Sequence, residues 1–395
     1  MNIFFIPSKY PSKQEPLAGI FFYEQAQALG EQKDQIIINS LWGQNDCALA
    51  INKPFLALYN LINFFKKKNY LKKISTNNYE IFNPTFSWFH KIFGGNIAKV
   101  IKANEDNFLK AQSKFGSIDL IHAHLSYPAG YIAMKLAQKF KVPYIITEHM
   151  GNFPYAFYLE NGDLPQIIRE SLEKADQIIA VSESLSHQIK KYGIKNEIKV
   201  IPNLVDEDYF YPVKSKNNSV FTFFNLGNDG LPKGTQDLVK AISIAVKKNP
   251  NLIFKIAGTG NYSSYKKFAK KLGIENFIIW LGPLNRKQVR DEFRDCDAFI
   301  LPSHYESFGV VYIEAMACGK PVIATRCGGP ESIVTSETGI LVEVGNIRQI
   351  SQAILDMANN LHRFEPKKIR QIFLNNFSKK AVTKRIIGCY KNLHQ

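Results

Sequence analysis

Short apolar runs of three to six residues alternate with helix-period segments along the chain. The alternation breaks once and then starts again. A strand, a helix and a further strand in series return the backbone to a parallel sheet, so this rhythm predicts two parallel α/β units. In the first half the strand candidates are residues 3–6, 35–39, 120–122, 144–147, 177–181 and 199–201, with helical segments at 20–29, 96–114, 130–139 and 184–192. A polar stretch with prolines, residues 202–218, reads as the linker. The second series has strands at 221–226, 252–257, 277–281, 298–301, 321–325 and 340–342, and helices at 235–248, 263–272 and 286–295. At 395 residues the chain exceeds one ordinary core, which also favours two domains.

Residues 301–330, LPSHYESFGVVYIEAMACGKPVIATRCGGP, are the most informative stretch for function. A strand ending at Leu301 leads through a turn at Phe308-Gly309 into an apolar helix, residues 310–317. Glu314 sits among Val310, Val311, Ile313, Ala315, Met316 and Ala317, so its helix is buried on nearly every face. A buried carboxylate without a partner is costly, and Glu314 is therefore expected to face a cleft and bind hydroxyls. The N–H groups around Ser307, Phe308, Gly309 and Val310 make an anion site, strengthened by the helix dipole. Glu306 precedes that site, and Glu314 lies two turns (~9–10 Å) beyond it. A diphosphate at the helix start, with a carboxylate on each side to accept from sugar hydroxyls, is the layout of a nucleoside diphosphate sugar. The alternative is structural: Glu306 caps the helix and Glu314 makes an ion pair.

This run resembles the E-x(7)-E signature of the retaining glycosyltransferase family 4, in the form P-S-x-x-E-x-F-G-x(4)-E-A-M-A-x-G-x-P-V-I-A-T, followed by Gly328-Gly329-Pro330-Glu331 where the family has Gly-Gly-x-x-Glu. The resemblance covers almost the whole chain and implies a GT-B fold of two Rossmann-like domains facing an interdomain cleft. It places the acceptor on residues 1–205 and the nucleotide-sugar donor on residues 206–377, with the last helix, 378–395, packing back on the first domain. It implies transfer of a hexose from a UDP- or GDP-type sugar to a hydroxyl, with retention and with no cofactor. The same resemblance points to bacterial surface-polysaccharide, lipopolysaccharide or glycolipid synthesis, with the acceptor left open between a lipid-linked glycan, a growing surface polysaccharide and a small soluble sugar.

Other donor residues follow from the same likeness. The segment GNDGLPKG, residues 227–234, resembles the family's G-R-x(4)-K-G phosphate loop; Lys233 matches, while Asn228 stands where the family has arginine. Gly258, in the turn after one strand, and Pro283-Leu284, after the next, correspond to loops flanking the base. Gly19 matches the glycine at the first helix start, beside the diphosphate and acceptor. Three histidines end strands: His122 and His124 (IHAH) and His149 (TEH). The family's catalytic histidine corresponds to His149, with His124 in reserve, and Glu148 beside it reads as structural. In the implied reaction Glu306 and the amides of Phe308 and Gly309 orient the sugar, and Glu314 grips the ribose. Lys233 and the helix start meet the charge of the leaving diphosphate.

Composition narrows the field further. Hydrophobic residues make up 45% and charged residues 21% of the chain, as in globular proteins. No apolar run approaches the ~20 residues that span a bilayer, and the four-residue apolar run near the start is too short for a signal peptide. Five scattered cysteines without a C-x-x-C read as reduced thiols in the cytoplasm, with no zinc site. No Asp-x-Asp falls in a suitable loop, so no metal is expected. The net charge of +16 is concentrated in the second half, with 27 Lys/Arg against 14 Asp/Glu over 211–395 and 23 against 20 over 1–210. Residues 55–73, FLALYNLINFFKKKNYLKK, fit either an anionic membrane surface or a helix packed on its own domain with solvated lysines.

Rival classes remain on the sequence. A nicotinamide oxidoreductase needs G-x-G-x-x-G after the first strand, where this chain has FIPSKYPSK. A nucleotide-sugar epimerase and a basic nucleic-acid binder stay as alternatives, the first ill-suited to the glutamate pattern and the second leaving the glutamates unexplained. Retaining glycosidases set their carboxyls ~5–5.5 Å apart, closer than this spacing gives.

Overall fold

A computed structural model describes residues 1–12, 14–44, 46–49, 54–88, 96–155, 158–213, 220–228 and 230–394. Two units emerge: one comprises Met1–Val181, Leu185–Ile201 and Val382–Gln395, the other Ser182–Ser184 and Pro202–Ala381. Residues 214–218 of the expected linker lie outside the described residues, as does Asp229 of the expected phosphate loop.

The first unit runs β1 (Asn2–Pro7), α1 (Ile20–Gly30), β2 (Ile36–Leu41), β3 (Ala48–Leu49), α2 (Pro54–Phe64), β4 (Tyr70–Ser75), β5 (Asn78–Phe82), β6 (Ser87–Trp88), α3 (Ile97–Phe115), β7 (Leu120–His124), α4 (Tyr131–Phe140), β8 (Tyr144–Glu148), α5 (Gln166–Glu173), β9 (Gln177–Ala180), α6 (Glu183–Lys191) and β10 (Ile198–Val200). Its main sheet has the order β10-β9-β8-β7-β1-β2-β5-β4, parallel except for β4, which pairs antiparallel with β5. The fully buried strands are Val/Ile/Leu/Phe-rich, as expected of a parallel sheet covered on both faces.

The second unit runs β11 (Phe221–Leu226), α7 (Thr235–Lys248), β12 (Leu252–Ala257), α8 (Ser263–Lys271), β13 (Ile278–Gly282), α9 (Arg286–Asp295), β14 (Ala298–Leu301), α10 (Val310–Ala317), β15 (Val322–Thr325), β16 (Gly339–Val342), α11 (Ile347–Asn359), α12 (Pro366–Asn376) and α13 (Lys379–Leu393). Its sheet is wholly parallel, in the order β13-β12-β11-β14-β15-β16. α13 begins in the second unit and from Val382 belongs to the first.

Several elements depart from the sequence reading. Residues 55–73 are not one helix: α2 ends at Phe64, and Tyr70–Ser75 form β4. β4 was missed because it is an edge strand carrying the exposed Lys72 and Lys73, which blunt the edge and interrupt its apolar pattern. β5 was missed because it holds Asn78 and Glu80 facing inward; Glu80 accepts from the Tyr10 hydroxyl at 2.9 Å. α5, α11 and α12 were also unread, although Asn346 caps α11 by accepting from the Gln349 amide, a signal visible in the sequence.

Strand order fixes where ligands can bind. In each unit the order reverses beside the first strand, between β1 and β7 and between β11 and β14. Loops leaving the carboxyl ends of such a pair diverge to opposite faces and leave a crevice. Gly19 follows β1 and His124 ends β7; Lys233 and Glu306 follow β11 and β14.

Candidate active site

In the second unit, the loop after β14 enters α10 through Gly309, at φ 99°. That angle disfavours any L side chain, and a Cβ here would lie 2.5 Å from the Tyr312 ring. The Tyr312 hydroxyl donates to the Leu301 carbonyl at 2.8 Å, tying the first turn of α10 to the end of β14. No side chain caps the helix and no acidic residue lies in its first turn. Its opening N–H groups and dipole therefore keep their affinity for an anion.

Glu306 is not the cap. Its Oε1 accepts from Lys233 Nζ at 2.7 Å and from Ser303 Oγ at 2.8 Å. Its backbone is clamped to the Gly328-Gly329 turn, with Gly329 N donating to the Glu306 carbonyl at 2.8 Å. A Cβ on Gly329 would fall 2.4 Å from Phe308 Cα, so the Gly-Gly pair lets the two loops touch. Lys233 reaches Glu306 because Gly234, at φ 68°, packs against Pro302, and because His304 N donates to the Pro232 carbonyl at 2.7 Å.

Asn228, in the family's arginine position, is a turn former here: its Oδ1 accepts from Gly230 N at 3.1 Å. Gly258 N donates to the Gly282 carbonyl at 2.9 Å. Pro283, exposed, and Leu284, half-buried, follow in the next loop.

The expectation of an unpartnered Glu314 is corrected. Its side chain is buried, 3% exposed, but its Oε1 accepts from Arg286 Nη1. Arg286 opens α9, whose start is fixed by an Asn285–Gln288 capping box, and its guanidinium lies 4.6 Å from the centre of the Phe210 ring. The sequence places Arg286 at the start of a helix, just past the 282–284 loop, without assigning it a partner. The asparagine–glutamine capping pattern at that helix start was the available signal. Both glutamates thus carry a cation, and each pair has one partner reaching solvent, at 26% for Lys233 and 24% for Arg286.

In the first unit, Gly19 is the N-cap of α1 at φ 67°; a Cβ would lie 2.5 Å from the Lys9 carbonyl oxygen. His149 sits against the first turn of that helix, with its ring 4.9 Å from Phe22 and 5.3 Å from Phe21. His149 Nε2 is 3.0 Å from His124 Nδ1, and the two rings stack. His124 is fully buried while His149 retains access to solvent, which separates the two candidates. His122 Nδ1 meets the Tyr390 hydroxyl of α13 at 2.6 Å, and its Nε2 meets Thr147 Oγ1 at 2.7 Å. Glu148 accepts from the amides of Ser126, His149 and Met150 at 2.8–2.9 Å, which fixes the loop carrying His149.

Burial sets the charge states of this cluster. It pushes His122 down to about 3 and His124 well below its ordinary value, and it pushes the Glu148 carboxyl up. The unfolded chain protonates both histidines near pH 6.5. Their contribution is therefore complete above that value and is lost as pH falls toward the folded values, at up to about 1.4 kcal/mol per pH unit for each histidine. Glu148 opposes this, since a raised carboxyl favours the folded state as pH falls. The expected result is a melting temperature that drops between pH 7 and pH 5, with a shallower drop in His122→Asn. Parallel curves for the two proteins would show that His122 does not titrate on unfolding.

Residues 79–209 match the family model described as Glycosyltransferase Family 4, and residues 206–371 match that described as Glycosyl transferases group 1. The chain belongs to these glycosyltransferases. Among relatives of this glycosyltransferase, the uncharacterized glycosyltransferase MJ1178 of Methanocaldococcus jannaschii is 33% identical over 253 residues, covering 62% of this chain and 66% of the relative. The match thus spans slightly less than two thirds of that protein. A putative teichuronic acid biosynthesis glycosyltransferase, TuaC of Bacillus subtilis, is 26% identical, with 90% of this chain and 88% of the relative covered. The solved structure of Anabaena Alr3699/HepE in complex with UDP superposes with a TM-score of 0.69 at 18% identity, covering 99% of this chain and all of the other. The fold is GT-B.

Proposed function

We propose that this glycosyltransferase moves a hexose from a UDP- or GDP-type nucleotide sugar to an acceptor hydroxyl with retention of configuration. Its place would be surface-polysaccharide or glycolipid synthesis, in the cytoplasm at the inner face of the cell membrane. One observation carries the reading: an uncapped helix start at Gly309-Val310 whose preceding loop holds the Lys233–Glu306 pair. A lysine ammonium has three N–H donors. Glu306 takes one, so the pair aims Lys233 without exhausting it, and two donors remain for a diphosphate. The UDP complex of the HepE structure and the teichuronic acid assignment of TuaC support the donor and acceptor classes.

In this reading Ser307, Phe308, Gly309 and Val310 cradle the phosphates, and Gly258, Pro283 and Leu284 flank the base. Glu314, held by Arg286, accepts from the ribose. Lys233 and the α10 dipole stabilise the charge on the departing diphosphate, and no metal is called on for that work. Asn228 shapes its turn rather than supplying charge. Gly19 lets the acceptor and the diphosphate approach the α1 start. His149, neutral or protonated, hydrogen-bonds the transferred sugar.

A thermal-shift screen of UDP, GDP, ADP and their sugars tests the donor. One nucleotide should raise the melting temperature by mass action, and Glu314→Ala should remove the gain. Absence of any shift in the wild type would overturn the reading. His149→Ala is expected to keep the donor shift and lose turnover by about 10²-fold or more. Unchanged turnover would move the catalytic role away from His149.

A further inference from the structure

Helix α2 wears its apolar stripe on the outside. Phe55, Leu58, Tyr59, Ile62 and, just past its end, Phe65 recur at helical spacing and are 88%, 55%, 51%, 56% and 80% exposed. A surface helix of a globular unit does the opposite. Here it is Asn60 that is fully buried, while Phe64 turns inward and stacks on Phe86 at 3.7 Å between ring centres. An exposed, contiguous apolar face of this kind marks a contact surface.

The chain beside that face is strongly basic. Lys66, Lys67 and Lys68 follow the helix directly, and Lys72 and Lys73 lie on β4; no acidic residue occurs from Pro54 to Tyr79. Lys67 is tied to Asp46 at 3.2 Å, whereas Lys66, Lys68, Lys72 and Lys73 are exposed. The first half of the chain carries a surplus of only three positive charges, so this cluster is local rather than a share of a general excess. Lysines also rim a cavity of about 870 Å³ next to the helix end, lined by Lys66, Lys68, Lys72, Gln44, Tyr10 and Glu80 among others. Its floor is polar and ordered: Glu80 accepts from the Tyr10 hydroxyl at 2.9 Å and from the Tyr70 hydroxyl at 3.4 Å.

We propose that the outer face of α2 seats in an anionic phospholipid bilayer and that the adjoining cavity takes a phosphate-bearing lipid head group. This rests on the membrane-side acceptor reading above and names the surface that would serve it. An apolar stripe flanked by lysines has the two features that interfacial binding needs: area to bury among acyl chains and charge to meet anionic head groups. In the cavity the rim lysines face the phosphate, and Tyr10, Gln44 and the Glu80 floor present hydrogen-bonding groups to head-group hydroxyls.

Co-sedimentation of the full chain with phosphatidylcholine vesicles, with and without phosphatidylglycerol, tests the proposal. Binding is expected with phosphatidylglycerol only and should weaken as salt is raised. The double variant Phe55→Ser/Phe65→Ser should bind at least about tenfold more weakly, and Lys66→Glu/Lys68→Glu about 100-fold more weakly. Both should keep the wild-type melting temperature and nucleotide shift. Lys72→Glu, on the cavity rim but off the helix, should also weaken binding; unchanged binding there would overturn the head-group part. No sedimentation of the wild type, equal binding to neutral vesicles, or wild-type binding by both double variants would overturn the whole. Loss of nucleotide shifts with vesicle binding intact would instead count against the donor assignment alone.

Discussion

Lys233→Ala is expected to lower kcat/KM for the nucleotide sugar by about 10²–10³-fold, the usual loss when one donor to a developing anion is removed. The effect should fall mainly on kcat, because charge on the diphosphate grows as the glycosidic bond breaks. Stability should change far less. Lys233 reaches solvent, at 26%, while Glu306 is largely covered, at 11%, and Ser303 still donates to the carboxylate after the lysine is gone. A cost of about 1 kcal/mol is expected, near the upper end for exposed pairs. Steady-state kinetics beside a melting curve separate the two effects. Wild-type kcat in the variant would remove Lys233 from the transition state, and a change confined to KM would leave it a ground-state contact.

The second large effect concerns the fold that holds the site. Gly258 lies at φ 148°, and a Cβ there would sit 1.3 Å from the Gly227 carbonyl oxygen. Gly258→Ala therefore forces apart the loops leaving β11 and β12, which bring Lys233 and the expected base contacts together. Backbone strain and overpacking combine to a loss of about 4 kcal/mol or more, in the tail of single-residue effects. For a unit of this size the corresponding fall in melting temperature is about 10 °C. Gly388→Ala is the control: it lies within α13, and nothing stands within 4 Å of its added Cβ. That change should be neutral or stabilise by about 0.5–1 kcal/mol. Calorimetry on both variants checks the pair, and similar melting temperatures would refute the steric account.

Much of the frame was legible from local pattern. β11, β12 and β14 and helices α7, α9 and α10 fall where the apolar rhythm put them, because buried parallel strands and their covering helices carry strong, uniform signals. The weak signals were the misses. β4 and β5 form the sheet margin, where lysines and buried polar groups replace the apolar run. At the site, the turn at Phe308-Gly309 and the helix start after it were readable, since both depend on residues next to one another in the chain, whereas the left-handed Gly309 and the absence of a side-chain cap came only from the structure.

The sequence alone determined two α/β series, the family, and the position of a helix start suited to phosphate, because each is written in contiguous residues. Only the tertiary structure decided which charges meet. Lys233 reaches Glu306 across 73 residues, Arg286 reaches Glu314 across 28, and Tyr390 closes on His122 across 268. It also decided that α2 turns its apolar stripe outward. Helical period shows that such a stripe exists, but which way it faces depends on what the rest of the unit leaves to cover it.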